Sequence, residues 1–180
     1  DASMTSPYAF YQFWVNAEDA DIVKYLKVFS FADRERIEEL AELTRTRPAE
    51  RAAQRFLAEE LTTLVHGREE CAQVVAASQA LFGRGSLHDL APATLHAALV
   101  EAGLTTVKGE LPPLATLMRD TGLASSLNDA RRTIAEGGAY VNNERVTDTA
   151  ATIDPSQLLH GRYLVLRRGR RNVAGVEVTS

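Results

Sequence analysis

Apolar residues recur every three or four positions through the first hundred residues, which is the spacing of amphipathic helices. Proline, serine and aspartate mark where these helices begin, because they fit or cap a first turn. Helices are expected to begin at Ser6-Pro7, Asp21, residues 30–33, Pro48, Glu69 and Pro92, with the last ending at Gly103. The aromatic side chains Phe10, Phe13 and Trp14 are expected to be core residues of the first helix. This pattern predicts an α-helical bundle over residues 1–103.

The last third of the chain has a different pattern. A short helix over residues 114–121 is followed by Ser126-x-x-Asp129, a capping box in which each side chain satisfies a backbone amide of the first turn. Gly137 and Gly138 can adopt the backbone conformations that end a helix. Strand, turn and strand then follow at residues 140–141, 142–143 and 145–146. This order predicts a small α+β domain at the end of the chain.

A short segment, residues 104–113, separates the two patterns. It contains Gly109, Pro112 and Pro113, which disfavour a regular helix, and we expect it to be a linker. The predicted fold class is therefore a mostly α-helical bundle followed by a small α+β domain over residues 114–180.

Charge is unevenly distributed along the chain. The net charge is −4, but residues 1–111 contain 11 basic and 17 acidic side chains, whereas residues 112–180 contain 9 and 7. Every basic residue after position 111 is an arginine, and five of them lie within residues 162–171 without an acidic residue. Such a run can be a plain solvated surface, but guanidinium groups also suit phosphates and stack on bases. We expect this segment to bind RNA.

Other kinds of chemistry find little support in the sequence. The single cysteine, Cys71, lies in an apolar helical segment and is expected to be a packed side chain. The four histidines lack the spacing of metal ligands, and no catalytic, cofactor-binding or metal-binding residue is expected in this chain. No apolar run approaches the ~20 residues of a membrane-spanning helix, and the N-terminus has no signal-peptide pattern. We expect a cytoplasmic protein without a membrane partner.

Residues 111–178 resemble the ribosomal-protein-S-four-type RNA-binding domain. The resemblance rests on Ala130-Arg131-Arg132-x-Ile134, Gly137-Gly138 and Val141-Asn142. Asn143 stands where that family usually has glycine, and Asp129 where it usually has glutamate; asparagine tolerates a left-handed turn, and aspartate keeps the charge. The resemblance implies that the backbone of a folded RNA is contacted by Arg131, Arg132, Arg167, Arg168, Arg170 and Arg171.

The N-terminal segment carries a second resemblance. Residues 5–16 are similar, almost letter for letter, to the helix that leaves the catalytic domain in bacterial tyrosyl-tRNA synthetases, so residues 1–16 are expected to be that helix. Residues 25–29, 51–58, 64–67 and 80–82 resemble the anticodon-binding helical domain of the same family. The catalytic signatures of the family, similar to His-Ile-Gly-His and Lys-Phe-Gly-Lys-Ser, do not occur in this sequence.

The second resemblance implies a function. The chain is expected to be the tRNA-binding half of a tyrosine-tRNA ligase, a class I aminoacyl-tRNA synthetase used in protein biosynthesis, and to have no enzyme activity alone. Its implied partners are tyrosine tRNA and an N-terminal catalytic domain, which uses ATP and Mg. Because the family dimerises through its catalytic domain, the complete enzyme is expected to be a homodimer and this part a monomer.

An acidic group at the start of the second helix is a candidate anticodon reader. A tyrosine anticodon begins with a guanine-type base, whose edge presents two adjacent N–H donors, and a carboxylate is the matching pair of acceptors. Glu18, Asp19 and Asp21 lie in the segment where the family has its anticodon-reading acid, and Asp19 is preferred. Acidic residues at a helix start are also favoured by capping and by the helix dipole, so a purely structural role stays open.

Two other functions also stay open. A stand-alone ribosome- or RNA-associated protein could use the same RNA-binding module, but it would not need the segment of residues 5–16. A helical scaffold for protein partners would leave the arginines of residues 162–171 without a role.

Overall fold

The computed structural model describes residues 5–180 of the chain. Its contacts divide the chain into two compact units, a first that ends at Val75 and a second that spans Ala76–Ser180. The helices are α1 (Pro7–Val15), α2 (Asp19–Phe29), α3 (Arg34–Thr46), α4 (Ala52–His66), α5 (Arg68–Ala80), α6 (Pro92–Ala102), α7 (Leu114–Asp120) and α8 (Leu127–Ala135). The strands are β1 (Leu104–Lys108), β2 (Ala139–Val141), β3 (Glu144–Val146), β4 (Tyr163–Arg168) and β5 (Asn172–Thr179). The predicted fold class is confirmed, since a helical part precedes an α+β domain.

Helix α4 is the centre of the first unit, because α1, α2 and α3 all pack against it. The apolar residues of these helices recur at helical spacing and therefore share one face. Their common core consists of Ile22, Leu26, Leu40, Ala53, Leu57 and Leu61. Helix α1 begins as predicted, with the Ser6 hydroxyl accepting a 3.0 Å hydrogen bond from the backbone N–H of Ala9. None of the described helices is long and apolar enough to cross a lipid bilayer.

The start of α4 differs from the prediction. The sequence pattern predicts a helix from Pro48, but Pro48–Glu50 forms a separate 3₁₀ turn and α4 begins only at Ala52. Arg51 between them has a φ of 50°, in the left-handed region that interrupts a helix. Its guanidinium donates to the carbonyl oxygens of Val15 (2.9 Å) and Ala17 (2.6 Å). The residue before α4 is therefore hydrogen-bonded to residues much earlier in the chain, at the end of α1 and just beyond it.

Within the second unit, five strands form one sheet in the order β1-β5-β4-β2-β3. Strand β1 runs parallel to β5, and the other neighbouring strands are antiparallel. Helices α7 and α8 pack on one face, where their core with the sheet includes Leu117, Ile134 and Val176. Side chains alternate across a strand, so Gly175 points to the opposite face, where an added Cβ atom would lie 2.8 Å from Leu99 Cβ of α6. The sheet thus lies between helices on both faces.

The segment predicted to be a linker is partly a strand. Strand β1 follows α6 directly and pairs with β5 along its whole length. Backbone hydrogen bonds from Gly175 N to Gly103 O (2.8 Å) and from Gly109 N to Thr179 O (3.0 Å) flank the pairing. The sheet therefore begins before residue 114. The domain limits of the sequence analysis otherwise stay predictions.

Candidate nucleic-acid interface

Helix α8 begins next to a carboxylate that binds two arginines. The Ser126 hydroxyl accepts a 3.1 Å hydrogen bond from the N–H of Asp129, as the capping pattern predicts. The Asp129 carboxylate accepts from Arg168 Nη1 at 2.8 Å and from Arg132 Nη2 at 2.7 Å. The backbone N–H of Ser125 adds a further hydrogen bond at 3.0 Å. The Arg168 hydrogen bond first, and the Ser125 amide second, hold the pKa of Asp129 well below its ordinary value.

Two of the arginines predicted to contact RNA are held by protein groups. Besides Asp129, Arg168 Nη1 binds the carbonyl oxygen of Leu123 at 2.9 Å. Arg167 is only 7% exposed and donates to the carbonyl oxygen of Gly169 at 2.6 Å. Its Cζ atom also lies 4.0 Å from the centroid of the Tyr140 ring, a cation–π contact. The structure thus places both guanidinium groups within the domain, Arg168 half-buried and Arg167 buried.

Three other predicted arginines are exposed and unpaired. Arg131 lies on α8, and Arg170 and Arg171 lie in the turn between β4 and β5. Within residues 5–180, no acidic side chain forms an ion pair with them. Arg132 is 66% exposed although it binds Asp129. These four side chains are open to an anionic ligand.

Tyr140 lies between two arginines that neighbouring strands place opposite it. The sheet pairs Tyr140 of β2 with Arg145 of β3 and with Arg167 of β4. Arg145 Nη2 donates to the Tyr140 hydroxyl oxygen at 2.9 Å, and its Cζ lies 5.5 Å from the ring centroid. The pKa of this phenol is lowered, first by the Arg145 hydrogen bond and further by the charges of Arg167 and Arg170. The sequence analysis missed Tyr140 and Arg145 as site residues, although the two-residue turn between their strands fixes their pairing.

Two asparagines form the turn between β2 and β3. Asn142 and Asn143 have φ values of 47° and 67°, as a turn of this kind requires. Asn142 Oδ1 accepts a 2.9 Å hydrogen bond from the N–H of Val165 in β4. Asn143 Nδ2 donates to the carbonyl oxygen of Ala80, the last residue of α5, at 2.7 Å. Asn143 thus replaces the glycine usual in the RNA-binding family and makes a contact that glycine cannot make.

Asp19, the preferred anticodon reader, takes part in the packing of the first unit. Its Oδ1 accepts a 2.7 Å hydrogen bond from Gln54 Nε2, and Arg51 Nη1 lies 3.8 Å from the same oxygen. The Asp19 side chain is 46% exposed, and within the described chain its Oδ2 has no hydrogen bond. Glu18 is exposed at the N-cap of α2 and its side chain forms no capping hydrogen bond. Both carboxylates can reach a ligand, but Asp19 offers one unoccupied oxygen rather than two.

Phe13 and Trp14 of α1 and Phe29 of α2 form an aromatic cluster in the first unit. The ring centroid of Trp14 lies 5.1 Å from that of Phe13 and 5.4 Å from that of Phe29. Phe13 is 68% exposed, so the core position predicted for it is wrong. The buried residues of this helix are Tyr8 and Tyr11, while Phe10 and Trp14 are partly buried against the core of the first unit.

Side chains that commonly bind metals are scattered rather than clustered. Among the described residues, no three histidine, cysteine, aspartate or glutamate side chains are placed together to hold an ion. Cys71 is buried, with its Sγ 3.5 Å from the carbonyl oxygen of Glu59. His160 Nε2 lies 2.8 Å from the carbonyl oxygen of Leu90. What the second unit offers a ligand is a set of exposed guanidinium groups.

Comparison with known proteins matches both parts of the chain to synthetase families. Residues 94–175 match the family model described as the tyrosine–tRNA ligase SYY-like C-terminal domain, and residues 1–83 match the model of class I tRNA synthetases (W and Y). The chain is 62% identical over 179 residues to a tyrosine–tRNA ligase of Thermobifida fusca. It is 58% identical over 178 residues to the Streptomyces griseus ligase. These alignments cover 98% and 99% of the chain but only 41% and 42% of the relatives, so the chain spans about two-fifths of their length.

Solved structures give matches over about half of the chain. A solution structure of a tyrosyl-tRNA synthetase C-terminal domain is 28% identical and aligns with 51% of this chain and 92% of that chain, with a TM-score of 0.43. A C-terminally truncated mitochondrial tyrosyl-tRNA synthetase of Aspergillus nidulans is 36% identical over 46% of this chain and 24% of that chain, with a TM-score of 0.44.

Proposed function

Since this chain belongs to the tyrosyl-tRNA synthetase family and corresponds to the C-terminal portion of its members, we propose that it binds tyrosine tRNA. In this proposal the rest of the synthetase carries out the aminoacylation. The observation that carries this proposal is that three of the predicted arginines, Arg131, Arg170 and Arg171, are exposed and have no acidic partner within residues 5–180. Guanidinium groups of this kind match the phosphates of a folded RNA. The relatives that align with nearly the whole chain are named as ligases, which favours this function over a stand-alone RNA-associated protein.

The predicted arginines then divide into two roles. Arg131, Arg132, Arg170 and Arg171 contact phosphates directly, because their side chains are exposed. Arg167 and Arg168 supply positive charge from within the domain and hold β4 against β2 and α8, through the contacts of Arg167 with Tyr140 and of Arg168 with Asp129. Phosphate contacts supply affinity and register rather than sequence choice.

Asp19 is the proposed source of sequence choice. Its Oδ2 can accept a hydrogen bond from the first anticodon base, while Gln54 holds Oδ1 and so fixes the carboxylate. Glu18, one residue earlier and exposed, is the alternative partner for the second N–H of a guanine-type base. Glu18 stands at the N-cap of α2 but its side chain forms no capping hydrogen bond, so capping does not compete with recognition.

The chemical step is proposed for the part of the synthetase outside this sequence. That part would bind tyrosine, ATP and Mg and would form the homodimer. The chain described here would then be a monomer that neither forms tyrosyl-adenylate nor charges tRNA. Tyrosine-dependent ATP–pyrophosphate exchange by the purified chain would contradict this assignment.

Salt-dependent tRNA binding tests the proposed function. Removing one phosphate contact should lower the slope of log K against log salt by about 0.7–0.9, so Arg170→Ala combined with Arg171→Ala should flatten it by roughly 1.5. Affinity should fall by a similar factor for every tRNA tested. Arg119→Ala is the matched control, because that exposed arginine is already paired with Asp120 at 2.9 Å. Failure of the unmodified chain to bind tyrosine tRNA, or an unchanged slope in the double variant, would refute the assignment.

A further inference from the structure

We propose that Tyr140 and Arg145, with Arg170 beside them, form a binding site for a phosphate of the RNA backbone. We refer to Tyr140, Arg145, Arg167 and Arg170 as the Tyr140 cluster. The proposal rests on the tRNA-binding function proposed above and extends it from the helix and the β4–β5 turn to the edge of the sheet. Neither Tyr140 nor Arg145 stands out in the sequence as a candidate for RNA contact.

The charge of the cluster is not balanced by protein groups. Arg145 and Arg170 are exposed, and Arg167 is buried behind them against the Tyr140 ring. Within the described chain, none of these three guanidinium groups forms an ion pair with a carboxylate. Arg167 Nε is also buried without a hydrogen-bond partner. Positive charge held close together in this way is costly unless an anion approaches it.

Other arginines of the same unit show the contrasting arrangement. Arg119 pairs with Asp120, Arg162 with Glu177, and Arg168 with Asp129. Each of these three guanidinium groups is neutralised by a carboxylate of the same unit. The Tyr140 cluster has three guanidinium groups and no acidic partner within the described chain, which favours an external anion in that place.

The geometry selects a phosphate rather than a base. Arg145 uses one N–H, on Nη2, to bind the Tyr140 hydroxyl, which leaves further donors of its planar fork for two phosphate oxygens. The Tyr140 oxygen accepts that bond, so its own proton can be donated to the same phosphate. Guanidinium groups lie over the Tyr140 ring at 4.0 Å (Arg167) and 5.5 Å (Arg145), where a base would otherwise stack. Arg167 is therefore a positioning residue that fixes the ring.

The lowered pKa of the Tyr140 phenol agrees with this arrangement. Its causes are the Arg145 hydrogen bond and the positive charges of Arg145, Arg167 and Arg170. Positive potential at the hydroxyl oxygen is what an approaching phosphate would meet. Gly83 faces the same cluster: an added Cβ there would lie 3.2 Å from Arg167 Nη2, so the absence of a side chain leaves this guanidinium room.

The positive charge of Arg145 and the hydroxyl group of Tyr140 are tested by separate variants. Binding is measured with the full chain and a tyrosine tRNA transcript at several salt concentrations. Arg145→Gln should weaken binding and lower the salt slope by about 0.7–0.9, the value for one phosphate contact. Tyr140→Phe should weaken binding by roughly ten- to a hundredfold with the slope unchanged, because it removes one hydrogen bond to a charged phosphate but no positive charge. Arg145→Lys should keep the slope but bind more weakly, because it keeps the charge and loses the fork.

Lys108→Gln is the matched control. Lys108 is an exposed cation on β1, at the edge of the sheet opposite to β3, and its removal should leave affinity and slope close to those of the unmodified chain. Thermal unfolding of each variant shows whether the domain is intact. If Arg145→Gln and Tyr140→Phe both behave like Lys108→Gln while the Arg170 and Arg171 double variant has a lowered slope, the Tyr140 cluster is not a phosphate site and the proposed function stands. If the unmodified chain does not bind the transcript, both proposals fail.

Discussion

Asp129 fixes the side chains of Arg132 on α8 and Arg168 on β4 by hydrogen bonds. Its carboxylate binds Arg168 and Arg132 and accepts the amide of Ser125. Because its pKa in the folded domain lies below the unfolded value, the ionised carboxylate stabilises the fold at pH values above about 4. That contribution is lost as the pH falls toward the folded pKa. The domain should therefore become less stable as solutions are acidified below about pH 4.

Asp129→Asn tests this linkage. The variant should unfold more easily than the unmodified chain at neutral pH, and the difference between the two should shrink as the pH falls from about 5 to about 2. Denaturant unfolding at a series of pH values measures both effects. Asp120→Asn is the control, because within the described residues Asp120 pairs only with the exposed Arg119 beside it. A difference in unfolding free energy that stays constant with pH would show that Asp129 does not act through its charge.

Asn143 shows how one residue satisfies both a turn and a contact. Its φ of 67° suits glycine, while its side chain binds the Ala80 carbonyl oxygen at 2.7 Å. Asn143→Gly should lower the unfolding free energy by about 0.5–1.5 kcal/mol, the value of one hydrogen bond. Part of this loss is offset because glycine adopts the left-handed conformation without strain. Asn143→Ala should lower it by about 1–2 kcal/mol more, because alanine also disfavours the left-handed conformation. Equal stability of the two variants, measured by chemical denaturation, would contradict this account.

At the scale of elements, local chemistry made most helices predictable. Ser6 and Ser126 each cap a helix through a residue three positions later, so the signal lies within one turn of the sequence. Strand β1 gave no such signal, because its partner β5 lies about seventy residues further on and only that pairing defines it as a strand. The interruption at Arg51 was missed for the same reason, since its side chain binds carbonyl groups at the end of α1 and just beyond.

The candidate nucleic-acid interface was likewise predictable where its signal is local in the sequence, and not where it depends on pairing between strands. The run of arginines over residues 162–171 was visible in the sequence, and the structure exposes Arg170 and Arg171 of this run. Burial of Arg167 depends on the neighbouring strand that brings Tyr140 beside it, which no local pattern shows. In contrast, the pairing of Tyr140 with Arg145 follows from a two-residue turn and could have been derived.

Strand β1 and helix α6 should be needed for a stable C-terminal unit. Residues 112–180 alone lack both, which exposes one edge of β5 and removes the contact of Leu99 with Gly175. Burial of one leucine is worth about 1.5–3 kcal/mol, a large part of the stability of so small a domain. Residues 68–180, which keep α5 whole, should unfold cooperatively at a clearly higher denaturant concentration. Residues 104–180 should be intermediate, and equal midpoints for all three fragments would show that β1 and α6 contribute nothing.

At the scale of the whole molecule, the two units carry different charges. Residues 1–75 hold 9 basic and 14 acidic side chains, whereas residues 76–180 hold 11 and 10. The first unit is therefore unsuited to hold a polyanion by general attraction, and any contact it makes with RNA must be specific. The second unit has arginines without an acidic partner among residues 5–180, and such arginines act on any phosphate backbone. Affinity and sequence choice are thus expected to reside in different units.

This division predicts how a fragment and a point variant should differ from the full chain. Residues 68–180 should keep most of the salt dependence of tRNA binding, because the exposed arginines are retained, but should bind all tRNAs alike.

In the full chain, Asp19→Asn keeps an oxygen for Gln54 and replaces the unoccupied Oδ2 with an amide. It should weaken binding of tyrosine tRNA by about 1–3 kcal/mol, leave the salt slope nearly unchanged, and remove the preference over a tRNA with another first anticodon base. Asp21→Asn, which removes an acidic charge from the same first turn of α2, is the control and should keep that preference. A fragment that still discriminates among tRNAs would place sequence choice in the second unit, whereas an Asp19 variant with intact preference would show that Asp19 is not the reader.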